Sequence, residues 1–168
     1  VLTMSVFGKV SDRKFCVRDG AKAGDILFCT GEFGNSFKSG HHMNFTPRVR
    51  EGRFLAGKWT RTMIDVSDGL LRDASRLAVA SGKGLVVFTD KIPRGRGAAT
   101  LKSALGDGED YELLFAVSER KAEGLIKEWP FKTRLSGIGY FISDKSGIFS
   151  ADGDNLCEKF EIGYDHFE

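Results

Sequence analysis

The sequence predicts an α+β domain, a mixed β-sheet covered by helices, and three observations predict it. Short apolar runs recur at residues 26–29, 85–88, 111–117 and 135–142, and runs of this length read as strands. Between them lie segments whose apolar residues return at helical spacing, as in Leu70, Leu71, Ala74, Leu77 and Ala78. Strands and helices interleave without a strict strand–helix–strand rhythm, and the opening and closing strands read as antiparallel.

Each element has its own justification. Leu2, Met4 and Val6 alternate with Thr3, Ser5 and Phe7, the pattern of a half-buried strand, and residues 15–17 form a short second one. A polar connection with Gly20 and Gly24 leads into residues 26–29, which read as a strand buried on both faces. Residues 31–44, with Gly31, Gly34 and Gly40, read as a loop; glycine-rich loops can cradle phosphate, but the pattern is no Walker motif, and a plain flexible connection is the favoured reading. His41 and His42 lack acidic or cysteine partners at ligand spacing and read as surface or packing residues. Thr46-Pro47 opens a helix that runs through Leu55, with the proline at its first position. A strand into Asp65 and a helix over 69–80 follow, stopped by Ser81-Gly82-Lys83-Gly84.

The second half continues with a strand at 85–88, a short helix at 98–105, a turn at 106–110 and a strand at 111–117. Ser118 caps a helix carrying Ala122, Leu125 and Ile126, which ends before Pro130. A strand at 135–142 and a turn at 144–147 lead into Ile148-Phe149, which would complete a hairpin.

With 168 residues the chain suits one domain with a real core. Its formal charge of +2 gives no argument for nucleic acid. No apolar run approaches membrane-spanning length, and the start lacks the pattern of a secretory signal. Cys16, Cys29 and Cys157 are odd in number and lack zinc or redox spacing, which reads as buried free thiols in a reducing cytoplasm. The chain opens on Val1 directly in a strand-like alternation, so a fragment of a longer protein is expected.

The chemistry concentrates in Met63-Ile64-Asp65-Val66-Ser67-Asp68-Gly69-Leu70. It reads as a strand end, a tight acidic turn and a helix start. Asp68 at that position can cap the helix. The second carboxylate, Asp65, adds repulsion unless a cation sits with the pair, and clustered hard oxygens suit Mg²⁺. Both readings stand on the residues alone. A second acidic turn, Gly106-Asp107-Gly108-Glu109-Asp110, reads either as a solvated turn or as a partner to the first, if their strands are neighbours.

Four motifs, in order along nearly the whole chain, resemble thiamine-monophosphate kinase. They are Arg18-Asp19-Gly20-Ala21 ahead of Gly24-Asp25, Asp65-Val66-Ser67-Asp68-Gly69-Leu70-Leu71, Gly108-Glu109-Asp110-Tyr111-Glu112-Leu113, and Gly163-Tyr164-Asp165-His166-Phe167. The wider superfamily is that of aminoimidazole ribonucleotide synthetase. The resemblance implies that residues 1–168 form the C-terminal domain of such an enzyme. The family's N-terminal domain, which carries most acidic Mg²⁺ ligands and mediates dimerisation, is absent from this chain. Two departures stand out: the segment after Gly34 is short, and Gly106-Asp107-Gly108 replaces two adjacent glycines.

The activity implied is ATP-dependent phosphorylation of thiamine phosphate to thiamine diphosphate, in a cytoplasmic homodimer with no nucleic-acid or membrane partner. By resemblance Asp65 and Asp68 ligate Mg²⁺, Ser67 contacts ATP, and Arg18 reaches the ATP phosphates. Glu109 and Tyr164 bind thiamine phosphate. No catalytic base is implied, since the attacking phosphate oxygen is already ionised. The isolated chain is expected to have little activity. Two other functions fit the residues: a non-catalytic ligand-binding module, or a superfamily kinase or synthetase acting on another phosphorylated compound.

Overall fold

The computed structural model describes residues 3–5, 7–9, 15–95, 97, 99–143, 146–160 and 163. Among them, one sheet is built from β1 (Ile26–Thr30), β2 (Thr62–Asp65), β3 (Gly84–Val87), β4 (Leu113–Val117), β5 (Leu135–Ile142) and β6 (Gly147–Ser150). The strands lie in the order β2-β4-β1-β5-β3-β6. Only the β3–β6 pair is parallel, so the sheet is mixed, as the sequence predicts. The helices are α1 (Ser36–Ser39), α2 (His41–Asn44), α3 (Val49–Leu55), α4 (Leu70–Ala80), α5 (Leu101–Gly106), α6 (Glu119–Glu128) and α7 (Leu156–Lys159).

Side chains alternate along each strand, so the sheet presents two apolar faces. On one, Leu27, Cys29, Ile64 and Leu114 meet Leu70, Leu77 and Ala78 of α4. On the other, Phe28, Phe115 and Val117 pack with Leu55 of α3 and with Ala122 and Leu125 of α6. The Phe28 and Phe115 rings stack across the β1–β4 pair with centroids 5.9 Å apart. Each fully buried side chain of this size contributes about 1.5–3 kcal/mol, so strands covered on both faces are firmly placed. No helix of the described residues is long and apolar enough to cross a membrane. The three cysteines are free, as expected, but only Cys29 is buried, Cys16 and Cys157 being partly exposed; burial pushes the Cys29 thiol pKa up.

Several expectations are corrected. Residues 3–5 and 7–9 carry no strand, and Leu2 and Val6 lie outside the described residues. The strand at 15–17 reduces to one parallel bridge between Val17 and Thr62. Residues 31–44 are no plain loop: left-handed Asn35 precedes the single-turn helix α1, and left-handed Gly40 separates it from the single-turn helix α2. The helix expected from Pro47 begins at Val49, because Arg48 turns aside to meet Glu112. The strand expected from Tyr111 begins at Leu113, because Tyr111 has a φ of 51°. Ser118 sits at the α6 N-cap but makes no side-chain cap bond. Finally, β6 forms no hairpin with β5. It runs antiparallel to β5 in direction, but β3 lies between them, and β6 takes the free edge of β3.

Candidate functional site

The first acidic turn leaves β2, and the second enters β4. These strands pair antiparallel, with Asp65 opposite Leu113. The pairing continues past them: Val66 N donates to Glu112 O and Tyr111 N donates to Val66 O, each at 2.8 Å. The two turns are therefore brought to the same end of the sheet and meet backbone to backbone. Glu109 N donates to Ser67 O at 2.6 Å. Gly108 has a φ of 73°, and a Cβ there would lie 2.7 Å from Ser67 O, so a side chain would push the turns apart. Tyr164 lies outside the described residues. Its neighbour Gly163 packs on the same seam, where a Cβ would come within 2.1 Å of Asp68 O.

Asp68 does not cap α4. The N-cap position falls to Gly69, with no side-chain bond. Instead the fully buried Asp73, inside the helix, reaches back. Its Oδ2 accepts from both Ser67 N and Asp68 N at 3.0 Å. Arg76 Nη1 lies 2.5 Å from Asp68 Oδ2 and 2.6 Å from Asp73 Oδ1, while Ser67 Oγ donates to Asp68 Oδ1 at 3.2 Å. The cation that the acidic pair calls for is thus supplied in part by the chain's own Arg76. Burial is the main force raising the Asp73 pKa, opposed by its bonds from the Asp68 backbone and Arg76.

Asp65 ends its strand exposed, between two shallow depressions. One, of about 360 Å³, is lined by Arg18, Val17, Met63 and Leu113 as well as Asp65. The parallel bridge puts Arg18 there, through Val17 N to Arg61 O at 2.8 Å and Met63 N to Val17 O at 2.9 Å. The other, of about 280 Å³, is walled by Phe45 and Tyr111, whose rings stack 4.2 Å apart. The Tyr111 hydroxyl pKa is raised by burial first and then by the charges of Glu109, Asp65 and Asp68. A larger apolar concavity of about 500 Å³, between β5 and α6, contains none of the predicted site residues.

The structure thus gathers Asp65, Ser67, Asp68 and Glu109, with Arg18 beside Asp65. Residues given no site role in the sequence analysis hold them there, two of them, Asp110 and Glu112, from within the 108–113 motif. Ser36 Oγ donates to Glu109 O at 2.6 Å, and Asp110 Oδ1 accepts from Gly34 N at 3.0 Å. Behind the second turn, buried Glu112 takes a two-pronged contact from Arg48 Nε and Nη2, both at 2.7 Å, and a third from Thr30 Oγ1 at 2.7 Å. Asp73 carried a readable signal. It sits three residues after Leu70 and four before Leu77, on the buried stripe of its helix, where a carboxylate demands partners.

The donor set fits a hard divalent cation in part. Asp65 and Asp68 offer carboxylate oxygens without nitrogen or sulfur competitors. Among the described residues, however, no three His, Cys, Asp or Glu side chains cluster as a metal cage. An open site with two protein carboxylates, completed by water and phosphate oxygens, is the coordination that Mg²⁺ commonly adopts.

No family model matches the chain. It is 28% identical over 195 residues to the thiamine-monophosphate kinase of Buchnera aphidicola subsp. Acyrthosiphon pisum (strain APS), a match covering 99% of this chain and 60% of that protein. The alignment is longer than the chain, so that relative holds additional residues inside the matched span. Among solved structures, thiamine-monophosphate kinase from Stenotrophomonas maltophilia K279a superposes with a TM-score of 0.74 at 26% identity, over 87% of this chain and 55% of that one. AaThiL complexed with AMPPCP and TMP gives 0.71 at 26% identity, over 92% and 55%. The chain spans about 60% of the length of the curated relatives first matched. Sequence and structure agree with the resemblance carried by the four motifs: the chain is a relative of the thiamine-monophosphate kinases, with the aminoimidazole ribonucleotide synthetase-like fold expected of them.

Proposed function

We propose that this chain is the C-terminal, synthetase-like domain of a kinase that phosphorylates thiamine phosphate to thiamine diphosphate with ATP and Mg²⁺. The observation that carries this reading is the seam between the two acidic turns. Residues about forty positions apart in sequence meet there through Glu109 N and Ser67 O, in a chain similar to such kinases over nearly its whole length. The AaThiL structure with AMPPCP and TMP supports the choice of substrates.

In this reading Asp65 and Asp68 hold Mg²⁺, which neutralises phosphate charge and offsets the repulsion between two phosphorylated molecules. Ser67 contacts ATP, and exposed Arg18 presents a planar guanidinium to its phosphate oxygens. Glu109 faces the cationic ring system of thiamine phosphate, and Tyr164 stacks on it. The attacking phosphate oxygen is already ionised, so the protein's part is positioning and electrostatics rather than proton removal. The kinase acts as a cytoplasmic homodimer, and its activity needs the N-terminal part that this chain does not span.

The test is formation of thiamine diphosphate from thiamine phosphate, ATP and Mg²⁺. The whole kinase turns over, the 168-residue chain alone does so little, and Asp68→Asn in the whole kinase lowers turnover by about tenfold or more. No product from the whole kinase overturns the reading, and unchanged turnover of D68N at saturating Mg²⁺ removes Asp68 from the metal.

A further inference from the structure

Asp68 is not waiting with an open carboxylate. Its Oδ2 is 2.5 Å from Arg76 Nη1, and the same nitrogen is 2.6 Å from Asp73 Oδ1. The two acids differ sharply in setting. Asp73 is wholly buried and committed to the Ser67 and Asp68 N–H groups, whereas the Asp68 side chain is 14% exposed and that of Arg76 36%. One guanidinium therefore bridges a fixed carboxylate and an accessible one. Asp73 and Arg76 lie one helical turn apart on α4, so Arg76 keeps a partner whether or not it retains Asp68.

We infer that Arg76 is a resident counter-cation for Asp68, which Asp68 exchanges for a divalent ion while Arg76 stays on Asp73. This rests on the reading of Asp68 as a metal ligand. Asp65 ends β2 three residues before Asp68, and Glu109 N bonds to Ser67 O beside it, so a cation on Asp68 offsets the repulsion among the carboxylates gathered at this turn. Arg76 removes that repulsion in the metal-free protein and keeps the turn in shape. In return it competes with the metal and sets the affinity below what the carboxylates alone would give. Arg76 is a positioning residue in this scheme, and it touches no substrate.

The experiment measures binding of Mn²⁺ alone to the whole kinase by electron paramagnetic resonance, with Mg²⁺ as competitor and far-ultraviolet circular dichroism as the check on folding. Arg76→Gln is expected to bind Mn²⁺ more tightly by at least about fivefold, the lower bound set by one unit-charge repulsion at about 4 Å fully screened by water. Arg76→Lys keeps the charge and is expected to stay within about twofold of wild type. A purely structural Arg76 predicts the reverse for Gln, looser binding through a slackened turn. Equal or weaker binding by R76Q therefore overturns the exchange while leaving the metal site standing. No Mn²⁺ bound to wild type or R76Q overturns both. In ¹⁵N-labelled wild type the Arg76 Nε–H resonance is expected to shift as Mg²⁺ is added. A resonance unmoved at saturating Mg²⁺ overturns the exchange without any variant having to fold.

Discussion

The two acidic turns reach the same place by different means. The Ser67–Asp68 turn has ordinary left-handed freedom only at Gly69 and is held by charge: Asp73 collects its two N–H groups, and Arg76 bridges Asp73 to Asp68. The Gly108–Asp110 turn is held by backbone shape. Gly108, Glu109 and Tyr111 all have positive φ, and the turn bonds to Ser67 O, Val66 O and Ser36 Oγ. Non-glycine residues at positive φ are strained, and they persist here because surrounding bonds fix them. A charge-held turn can trade partners when a ligand arrives. A shape-held turn cannot, and serves as the rigid wall.

That contrast can be broken from its base upward. Glu112→Ala removes the acceptor of Arg48 and Thr30 behind the second turn and leaves a partly buried guanidinium with its long 4.0 Å contact to Glu51 in place of a two-pronged pair. It is expected to lower unfolding free energy by about 3 kcal/mol or more in urea titration, and a loss under about 1 kcal/mol would show the second turn to be held otherwise. Gly108→Ala, with its Cβ facing Ser67 O and an imposed positive φ, is expected to lose about 2 kcal/mol. Its thermal midpoint should fall by several degrees, and an unmoved midpoint would deny the seam. Arg18→Ala sharpens the comparison at the other extreme. Exposed and outside both turns, it is expected to change stability by no more than about 0.5 kcal/mol. In the whole kinase it should nonetheless raise the KM for ATP by about tenfold, the loss of one charge-assisted contact. A normal KM would take Arg18 off the phosphates.

Much of this was legible from residues alone, and the exceptions have reasons. β5 (Leu135–Ile142) keeps the bounds its apolar run announces, because a strand flanked by two others has its length set by burial. α4 follows its apolar spacing to within a residue. Burial at one face is a local pattern, so it survives in one dimension. The parallel seating of β6 is not local: Ile148 and Phe149 look the same whichever edge receives them, and only the position of β3 decides. The short helices α1 and α2 escaped notice because left-handed Asn35 and Gly40 break any period before it can be seen. In the site, Asp65, Ser67, Asp68 and Glu109 stood out as acidic turns, and their convergence hung on strand order. The buried position of Asp73 is a local signal, but the partners that Asp73 and Arg76 meet depend on how the preceding turn folds back on the helix. The motif position Tyr164 lies outside the described residues, and its role stays with the proposal.

The close approach of Gly108 to the Ser67 carbonyl has a practical consequence for anyone exchanging loops among relatives of this protein. Residues 66–69 and 108–111 interlock like two halves of a clasp. Transplanting one half into a foreign scaffold would bring the wrong counterpart against it, so the pair is the smallest portable unit.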